Sequence, residues 1–301
     1  MMDGVLNICK ERGFTSHDVV AKLRGILHQK KIGHTGTLDP EATGVLPVCL
    51  GKGTRLCDML ADRDKTYETV LRLGIVTDTQ DMTGKILRES PVLVTEEAVR
   101  EIIHSFLGEQ QQIPPMYSAL KVGGRKLYEL AREGIEVERK ARTVVFYRLD
   151  ILAVDLPLVR IRVECSKGTY IRTLCHDIGE KLGTGGCMES LVRTRVGRFR
   201  LEDSLTLAQA EELYRQGQLA SRVYSVEEMF MNLEAVSGKT EGDRLLWNGN
   251  PLDLPLAEGA PAEGEVRMYD SKGTFIGIYR YQKEKERYFP VKMFLPERQN
   301  P

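Results

Sequence analysis

The sequence predicts an α+β protein with a mixed or antiparallel sheet, followed by a small C-terminal β-barrel. Three observations lead to this prediction. Apolar and polar residues alternate with the period of a strand in several segments before residue 200. Helical patterns lie between these segments without the regular alternation that is typical of a doubly wound parallel sheet. The chain after residue 235 is rich in turn-forming residues and short strand candidates.

Length and composition limit the class of protein. The chain has 301 residues, and its 43 Lys and Arg balance its 43 Asp and Glu, which excludes a uniformly basic nucleic-acid coat. The length suggests one large domain and a smaller one. No apolar stretch approaches the roughly 18 to 20 residues of a membrane span, and the N-terminal residues do not resemble a secretory signal. We therefore expect a globular cytoplasmic protein.

The first predicted helix begins at Thr15. Thr15 and Asp18 have the spacing of a capping box, in which each side chain bonds the backbone N–H of the other residue. An apolar stripe follows, formed by Val19, Val20, Leu23, Ile26 and Leu27. Lys30, Lys31 and Gly33 are expected to end this helix.

A structured loop is predicted next, over residues 33–44. This segment, GHTGTLDPEATG, contains three glycines and a proline and shows no hydrophobic period. The apolar run VLPVCL follows it directly and is typical of a buried strand. Strands are then expected over 65–75, 143–154 and 158–165, where apolar and polar side chains alternate.

Two more helices and a second domain complete the prediction. Residues 171–182 have a helical apolar stripe that Gly183 ends, and a further helix is expected near 206–216, where Thr206 and Gln209 again have capping-box spacing. Three short strand candidates follow, at 263–270, 273–281 and 287–294. We expect the first domain to span residues 1–235 and the second to span residues 236–301.

One segment interrupts the strand-rich region. Residues 113–134, IPPMYSALKVGGRKLYELAREG, combine a Pro-Pro pair, a Gly-Gly pair and a short amphipathic stretch. This pattern predicts an insertion over about residues 113–143. Residues 110–148 contain eight Lys and Arg against four Glu, and residues 160–200 contain nine against four acidic groups. The neutral chain therefore has two basic segments.

Local sequence alone does not identify a catalytic group. Asp39 and His34 lie in the glycine-rich loop, where a turn-forming carboxylate and a hydrogen-bonding histidine are the ordinary interpretations. The six cysteines have neither C-x-x-C spacing nor a nearby histidine at zinc-ligand spacing, so no metal site is predicted. We expect most of these cysteines to be buried, reduced thiols.

A nucleotide-binding loop is the main alternative for the segment GVLPVCLGKGT. Six residues separate Gly44 from Gly51, whereas a P-loop needs four, and Gly53 occupies the place of the Ser or Thr that would hold magnesium. We therefore expect no nucleotide cofactor.

Four blocks together resemble the bacterial TruB family of tRNA pseudouridine-55 synthases. The blocks are GHTGTLDPEATGVLPV at 33–48, KTY at 65–67, IPPMYSALKVGGRKLYELAREG at 113–134 and CSKGTYIRTL at 165–174. The resemblance runs in order across about residues 3–235, and the C-terminal segment resembles the PUA-like domain often attached to this family. One departure is Lys10-Glu11, where the family usually has Lys-Pro. That departure concerns the rigidity of one turn.

The resemblance implies isomerisation of a T-loop uridine in tRNA, in a pseudouridine synthase catalytic domain. The N1–C1′ bond breaks and the uracil rejoins through C5, so nothing is oxidised and neither metal nor cofactor is required. Asp39 is implied as the nucleophile. It must be ionised; burial beneath a stacked base opposes this, and the guanidinium of Arg172 would favour it. The implied partner is the T-arm stem-loop, bound by a monomer.

The remaining implied site residues bind the RNA. Because the uridine must leave its stack, the family places an aromatic face against it, and Tyr67 matches that tyrosine, for which the resemblance also implies a catalytic role in removal of the C5 proton. Tyr170 and Leu191 match further pocket residues. His34 matches the histidine that holds the T loop in its flipped-out arrangement. The insertion resembles an RNA-gripping element, whose Lys121, Arg125, Lys126 and Arg132 would neutralise phosphates.

Two other function classes remain open from the sequence. An RNA-binding or RNA-folding protein could use the same surface without turnover, although the joint presence of Asp39, Tyr67 and Arg172 argues against it. A nucleotide-dependent enzyme is the other class, and it would be stabilised by ATP or GTP with magnesium.

Overall fold

A computed structural model of the protein describes residues 1–259 and 264–295. Its α-helices are α1 (Ser16–Leu27), α2 (Cys57–Ala61), α3 (Glu96–His104), α4 (Leu127–Arg132), α5 (Ile171–Lys181), α6 (Leu207–Arg215) and α7 (Asp243–Trp247). None of the helices in these described ranges has the length and apolar character needed to cross a membrane.

The strands belong to two main sheets and two short hairpins. The strands up to residue 224 are β1 (Gly4–Lys10), β2 (Ile32–His34), β3 (Thr43–Leu50), β4 (Lys65–Leu73), β5 (Ile75–Thr77), β6 (Ile86–Glu89), β7 (Gly108–Gln112), β8 (Lys121–Val122), β9 (Arg125–Lys126), β10 (Arg142–Asp155), β11 (Leu158–Cys165), β12 (Gly186–Val196), β13 (Phe199–Arg200) and β14 (Val223–Tyr224). The later strands are β15 (Glu234–Ser237), β16 (Leu252–Asp253), β17 (Glu265–Tyr269), β18 (Phe275–Gln282) and β19 (Arg287–Met293).

The larger sheet is mixed, as predicted. Its strand order is β14-β1-β3-β12-β4-β11-β10-β7, with β2 paired to β3 and β13 paired to β12. β3 and β12 run parallel, and the other neighbouring pairs in this sheet are antiparallel. Helices α1 and α6 pack on β1 and β3, and α3 and α5 pack on the half that contains β4, β10 and β11. The α+β prediction is confirmed.

The alternation in β4 determines which side chains reach the core. Every second residue from Lys65 to Leu73 is buried and the intervening residues are partly exposed, which confirms the predicted strand. Tyr67 is among the buried residues, and it lies directly opposite Arg193 of β12. The sequence pattern therefore brings Tyr67 to a face of the large sheet on which a cleft opens.

Helix α1 confirms the predicted start but not the predicted end. Thr15 and Asp18 form the expected capping box. The helix ends at Leu27, before Lys30, because His28 adopts a left-handed conformation with φ of 49° and its N–H caps the last turn. The chain then turns early enough for Ile32–His34 to pair with β3.

The second sheet packs on the first through a shared core. Its order is β15-β17-β18-β19-β16, and three of its strands coincide with the predicted candidates. Ile278 and Phe294 from this part contact a cluster that includes Val45 and Leu56 of the first. Arg55 also donates to the Met293 carbonyl at 2.7 Å. The C-terminal part is therefore anchored by apolar contacts as well as by the chain connection.

Residues 113–141 leave the large sheet between β7 and β10, within the predicted insertion. They form the hairpin β8–β9, which turns at Gly123 and Gly124 with positive φ angles, and the short helix α4. Leu127 and Leu130 of α4 are buried, whereas most basic side chains of the segment face solvent. This arrangement gives a small apolar anchor beneath a basic surface.

Candidate active site

A cleft of about 1090 Å³ opens on the large sheet. The loop before β3, strands β4 and β12, the start of α5 and the insertion all contribute to its walls. Predicted site residues on the cleft are Asp39, Tyr67, Arg132, Tyr170, Arg172 and Leu191. The chain thus brings together groups that are far apart in sequence.

Asp39 is held by the loop that precedes β3. The Leu38 N–H donates to the Ser16 hydroxyl of α1 at 3.0 Å, and the Ala42 N–H donates to the Asp39 carbonyl at 3.1 Å. The Gly13 N–H also donates to the Pro40 carbonyl at 3.0 Å. These bonds fix the backbone on both sides of Asp39, so its carboxylate projects into the cleft from a rigid turn.

The carboxylate of Asp39 forms the predicted ion pair with Arg172. Arg172 Nε lies 3.0 Å from Asp39 Oδ2, and Arg172 Nη2 donates to Asp39 Oδ1 at 3.3 Å. The Arg172 side chain is 6% exposed and the Asp39 side chain is 38% exposed. A two-point contact of this kind fixes the direction of the carboxylate. Asp39 therefore faces the cleft in a defined orientation.

Arg172 is itself held by groups from two other segments. Its Nη1 donates to the Thr79 carbonyl at 3.0 Å, and its Nη2 donates to the Tyr117 carbonyl at 2.8 Å. Asp81 Oδ2 lies 3.7 Å from Nη1. The guanidinium thus ties the Asp39 loop to the turn after β5 and to the start of the insertion.

Asp81 was not selected from the sequence. Its carboxylate is 12% exposed and accepts bonds from the Thr79 hydroxyl at 2.7 Å and the Thr83 N–H at 2.9 Å. Closely spaced Thr and Asp residues after a strand are the available sequence signal, and they indicate a side-chain-bonded turn. Only the fold shows that this turn supports Arg172.

Tyr67, Tyr170 and Leu191 supply the apolar and aromatic walls. Tyr67 is 7% exposed, and burial raises its pKa to about 12, although the nearby Arg193 guanidinium acts in the opposite direction. The Tyr170 backbone N–H donates to Gln112 Oε1 at 2.8 Å. The wall of the cleft therefore carries two aromatic side chains and one aliphatic side chain close to Asp39 in the lining.

Comparison with known proteins decides the family. A family model described as TruB family pseudouridylate synthase, N-terminal domain, matches residues 24–171, and one described as tRNA pseudouridylate synthase B C-terminal domain matches residues 172–236. The tRNA pseudouridine synthase B of Lachnoclostridium phytofermentans is 53% identical over 308 residues, covering 98% of this chain and 100% of that protein. The chain belongs to the TruB family of pseudouridylate synthases. The family prediction is confirmed, and the chain is an isomerase.

Other TruB relatives and solved structures agree with this assignment. The tRNA pseudouridine synthase B of Clostridium kluyveri is 52% identical over 278 residues, which cover 92% of this chain and 95% of that protein. A Cbf5-Nop10-Gar1 complex contains a chain with a TM-score of 0.74 at 29% identity, covering 97% of this chain and 85% of that one. The structure of an H/ACA RNP bound to a substrate RNA containing 2'-deoxyuridine contains a chain with a TM-score of 0.71 at 27% identity, covering 99% of this chain and 87% of that one.

His34 lies behind the cleft wall of this TruB protein. His34 is not among the described residues that line the cleft. Its ring contacts that of His17, which does line the cleft, and the two ring centroids are 5.2 Å apart. Burial lowers the pKa of His34, and the charges of His17 and Arg193 lower it further. The structure therefore places His17, and not His34, on the lining of the cleft.

The basic residues of the insertion occupy different environments. Lys121 is exposed on β8, and Arg125 forms an ion pair with Glu133. Lys126 and Arg132 both lie over the Tyr128 ring, at 5.3 and 5.4 Å from its centroid, and Arg132 also lines the cleft. Stacking on Tyr128 preorders these two cations at the cleft entrance.

Lys10 explains how the turn at Lys10-Glu11 is held where the TruB family usually has Lys-Pro. Lys10 is fully buried, and its amine donates to the carbonyls of Glu11, Phe14 and Pro40 at 3.1, 2.7 and 3.0 Å. These three bonds fix the turn without a proline and connect it to the loop that carries Asp39.

The stability contribution of Lys10 should depend on pH. Burial lowers its pKa from 10.5 to about 8, so the unfolded chain binds more protons between those values and stability rises with pH. Between pH 8 and 10.5, the unfolding free energy of the wild type relative to Lys10→Met is expected to rise by about 3 kcal/mol. Urea unfolding across this range measures it. Lys22→Met, which removes an exposed lysine of α1, is the control; a constant difference for Lys10→Met would contradict the prediction.

Proposed function

We propose that this TruB protein converts the uridine at position 55, in the T loop of tRNA, into pseudouridine, with Asp39 as the nucleophile. The observation that carries the proposal is the pairing of the partly exposed Asp39 carboxylate with the buried Arg172 guanidinium on the wall of the cleft. The relatives named tRNA pseudouridine synthase B support tRNA as the substrate.

The reaction needs an anion, a place for an extruded base and control over its rotation. Arg172 holds the Asp39 carboxylate in a fixed orientation on the cleft wall, where a nucleoside that has left its stack can meet it. Tyr67 and Leu191 would contact the two sides of the uracil and limit the space in which it turns between the N1 and C5 attachments. Tyr170, at the start of α5, would close the cleft from the side of Arg172.

The insertion and the His34 loop would hold the rest of the T arm. Lys121, Arg125, Lys126 and Arg132 all belong to the insertion, on β8, β9 and α4, and Arg132 lines the cleft. Contacts from such residues to phosphates would position an RNA without reading its sequence. His17 and His34 precede Asp39 in the chain, whereas the insertion follows it. We propose that the insertion holds the stem of the T arm and that the region of His17 and His34 holds its flipped-out loop.

We also propose that the protein acts as a cytoplasmic monomer. All the site residues described here come from one chain, so the catalytic group needs no second copy. Bacterial tRNA, the substrate in this proposal, is cytoplasmic.

Tritium release tests the activity and its position. Unmodified tRNA labelled with tritium at uridine C5 should lose label from one site in single-turnover reactions, and chemical mapping should show pseudouridine at position 55. The same tRNA with cytidine at that position is the matched control and should release no label. RNA binding without release would instead favour a binding or folding protein, and release from another position would refute the T-loop assignment.

Salt dependence tests the role of the insertion. Each neutralised phosphate is expected to contribute about −0.7 to −0.9 to the slope of the logarithm of the RNA association constant against that of salt. Lys121→Gln should therefore weaken binding and reduce the slope by about that amount, with the rate at saturating RNA unchanged. Fluorescence anisotropy measures this, with Lys22→Gln of α1 as control. An unchanged slope for Lys121→Gln would place this residue outside the interface.

A further inference from the structure

Arg193 is a buried cation at the lining of the cleft that the sequence did not indicate. It lies in the middle of β12, directly opposite Tyr67 of β4 on one side and Gly44 of β3 on the other. Its side chain is 1% exposed and forms no ion pair with Asp or Glu in the described part of the chain. Burial of a charge without an ion-pair partner costs free energy unless hydrogen bonds satisfy it. The hydrogen bonds of the Arg193 guanidinium therefore indicate its role.

The guanidinium bonds both ends of the loop that carries Asp39. Nε donates to the Val45 carbonyl at 2.7 Å, and Nη2 donates to the Gly36 carbonyl at 3.3 Å. Gly44 allows the backbone of Arg193 to lie close to β3, because a Cβ at this position would lie 2.2 Å from the Arg193 carbonyl oxygen and the residue has a φ of 106°. Arg193 therefore closes the base of the Asp39 loop.

The same guanidinium lies beside the side chain of Tyr67. Tyr67 and Arg193 form a directly opposed cross-strand pair, so their side chains lie on one face of the sheet, where the guanidinium acts to lower the pKa of the phenol. A guanidinium that is held by the Gly36 and Val45 carbonyls therefore restricts the position of the Tyr67 side chain. Arg193 thus contacts the loop that carries Asp39 and lies beside Tyr67, and these are the two groups proposed to meet the uridine.

We propose that Arg193 is a positioning residue that sets the Tyr67 hydroxyl relative to the Asp39 loop. The expected effect of Arg193 on turnover rests on the proposed function, whereas its contacts in the protein do not. Arg193 lies at the lining of the cleft, but it is only 1% exposed and its hydrogen bonds go to backbone carbonyls, so it acts through Tyr67 and through the carbonyls of Gly36 and Val45. Its planar guanidinium donates to two carbonyls while it lies beside Tyr67, which the single amine of lysine cannot do in the same geometry.

Spectroscopy tests the contact without any substrate. In protein labelled with carbon-13 at tyrosine Cζ, the Tyr67 signal is assigned by its loss in Tyr67→Phe. Arg193→Lys should shift this signal more than those of the other tyrosines, because the cationic group beside the Tyr67 side chain changes its shape and position. Arg195→Lys, two residues along the same strand, is the control; Arg195 bonds Glu164 and the Thr66 hydroxyl and does not line the cleft. An unmoved Tyr67 signal in folded Arg193→Lys would overturn the proposal.

A double-mutant cycle tests the consequence for turnover. Arg193→Lys should slow single-turnover pseudouridine formation by about 30-fold in the wild-type background and by less than about threefold in Tyr67→Phe, with RNA affinity nearly unchanged. Equal effects in the two backgrounds would refute action through Tyr67. If Tyr67→Phe is too slow to measure, the tyrosine spectrum alone decides. An inactive wild type would refute the proposed function while leaving the spectroscopic test intact.

Discussion

Asp39→Asn is expected to reduce single-turnover pseudouridine formation by at least about 10⁴-fold, because removal of a nucleophile is among the largest single losses in enzymes. RNA affinity should change by less than about fivefold, since the walls of the cleft and the basic insertion remain. Asn has nearly the same shape as Asp but cannot supply the charged oxygen that Arg172 orients. Tritium release and fluorescence anisotropy on the same RNA measure the two quantities.

The control for this change is Asp150→Asn. Asp150 pairs with Arg148 on β10 and does not line the cleft, so its loss should leave both quantities near the wild-type values. If Asp39→Asn lost RNA affinity in parallel with turnover, the carboxylate would be a structural or RNA-binding group. Retention of turnover would exclude it as the nucleophile.

Arg172→Met should impair both activity and stability. We expect turnover to fall by about 10² to 10³-fold, because Asp39 loses the group that orients its charge. The unfolding free energy should fall by about 2 to 3 kcal/mol, because the Thr79 and Tyr117 carbonyls lose their donor and Asp81 loses its nearby cation. Single-turnover kinetics and urea unfolding measure these effects.

Arg162→Met is the matched control for Arg172→Met. Arg162 also donates twice to a carboxylate, that of Glu68, but its side chain is 47% exposed, whereas that of Arg172 is 6% exposed. Its loss should cost less than about 1 kcal/mol and leave turnover unchanged. Similar stability losses in the two variants would contradict the anchoring role of Arg172. Arg172→Lys should recover only part of the activity, since one amine cannot replace the planar guanidinium.

The elements of the fold were largely predictable because their patterns are local. The alternation in β4 and the capping boxes of α1 and α6 each depend on residues close in sequence. The end of α1 was predicted wrongly, because the left-handed conformation of His28 leaves no hydrophobic or charge signal in the chain. The pairing of the parallel strands β3 and β12 likewise has no local signal, since it joins residues about 150 positions apart.

The site was predictable only through the family resemblance. Asp39 and Arg172 are 133 residues apart, and neither stands out from its neighbours by composition or spacing. Arg193 and Lys10 were not selected as functional residues, because a charged residue in a strand ordinarily faces solvent. Their burial depends on backbone carbonyls contributed by distant segments, such as Gly36 for Arg193 and Pro40 for Lys10. Such acceptors exist at every residue and therefore leave no mark in a sequence.

The most direct measurement is a structure of the protein with a T-arm stem-loop that carries 5-fluorouridine at position 55. We expect the fluorinated nucleoside outside the RNA stack and within the cleft, with its ring against Tyr67 and with an atom of its base or sugar in contact with the Asp39 carboxylate. Arg172 should still bond that carboxylate. A well-ordered nucleoside that remains stacked in the RNA, or that binds away from Asp39, would contradict this mechanism.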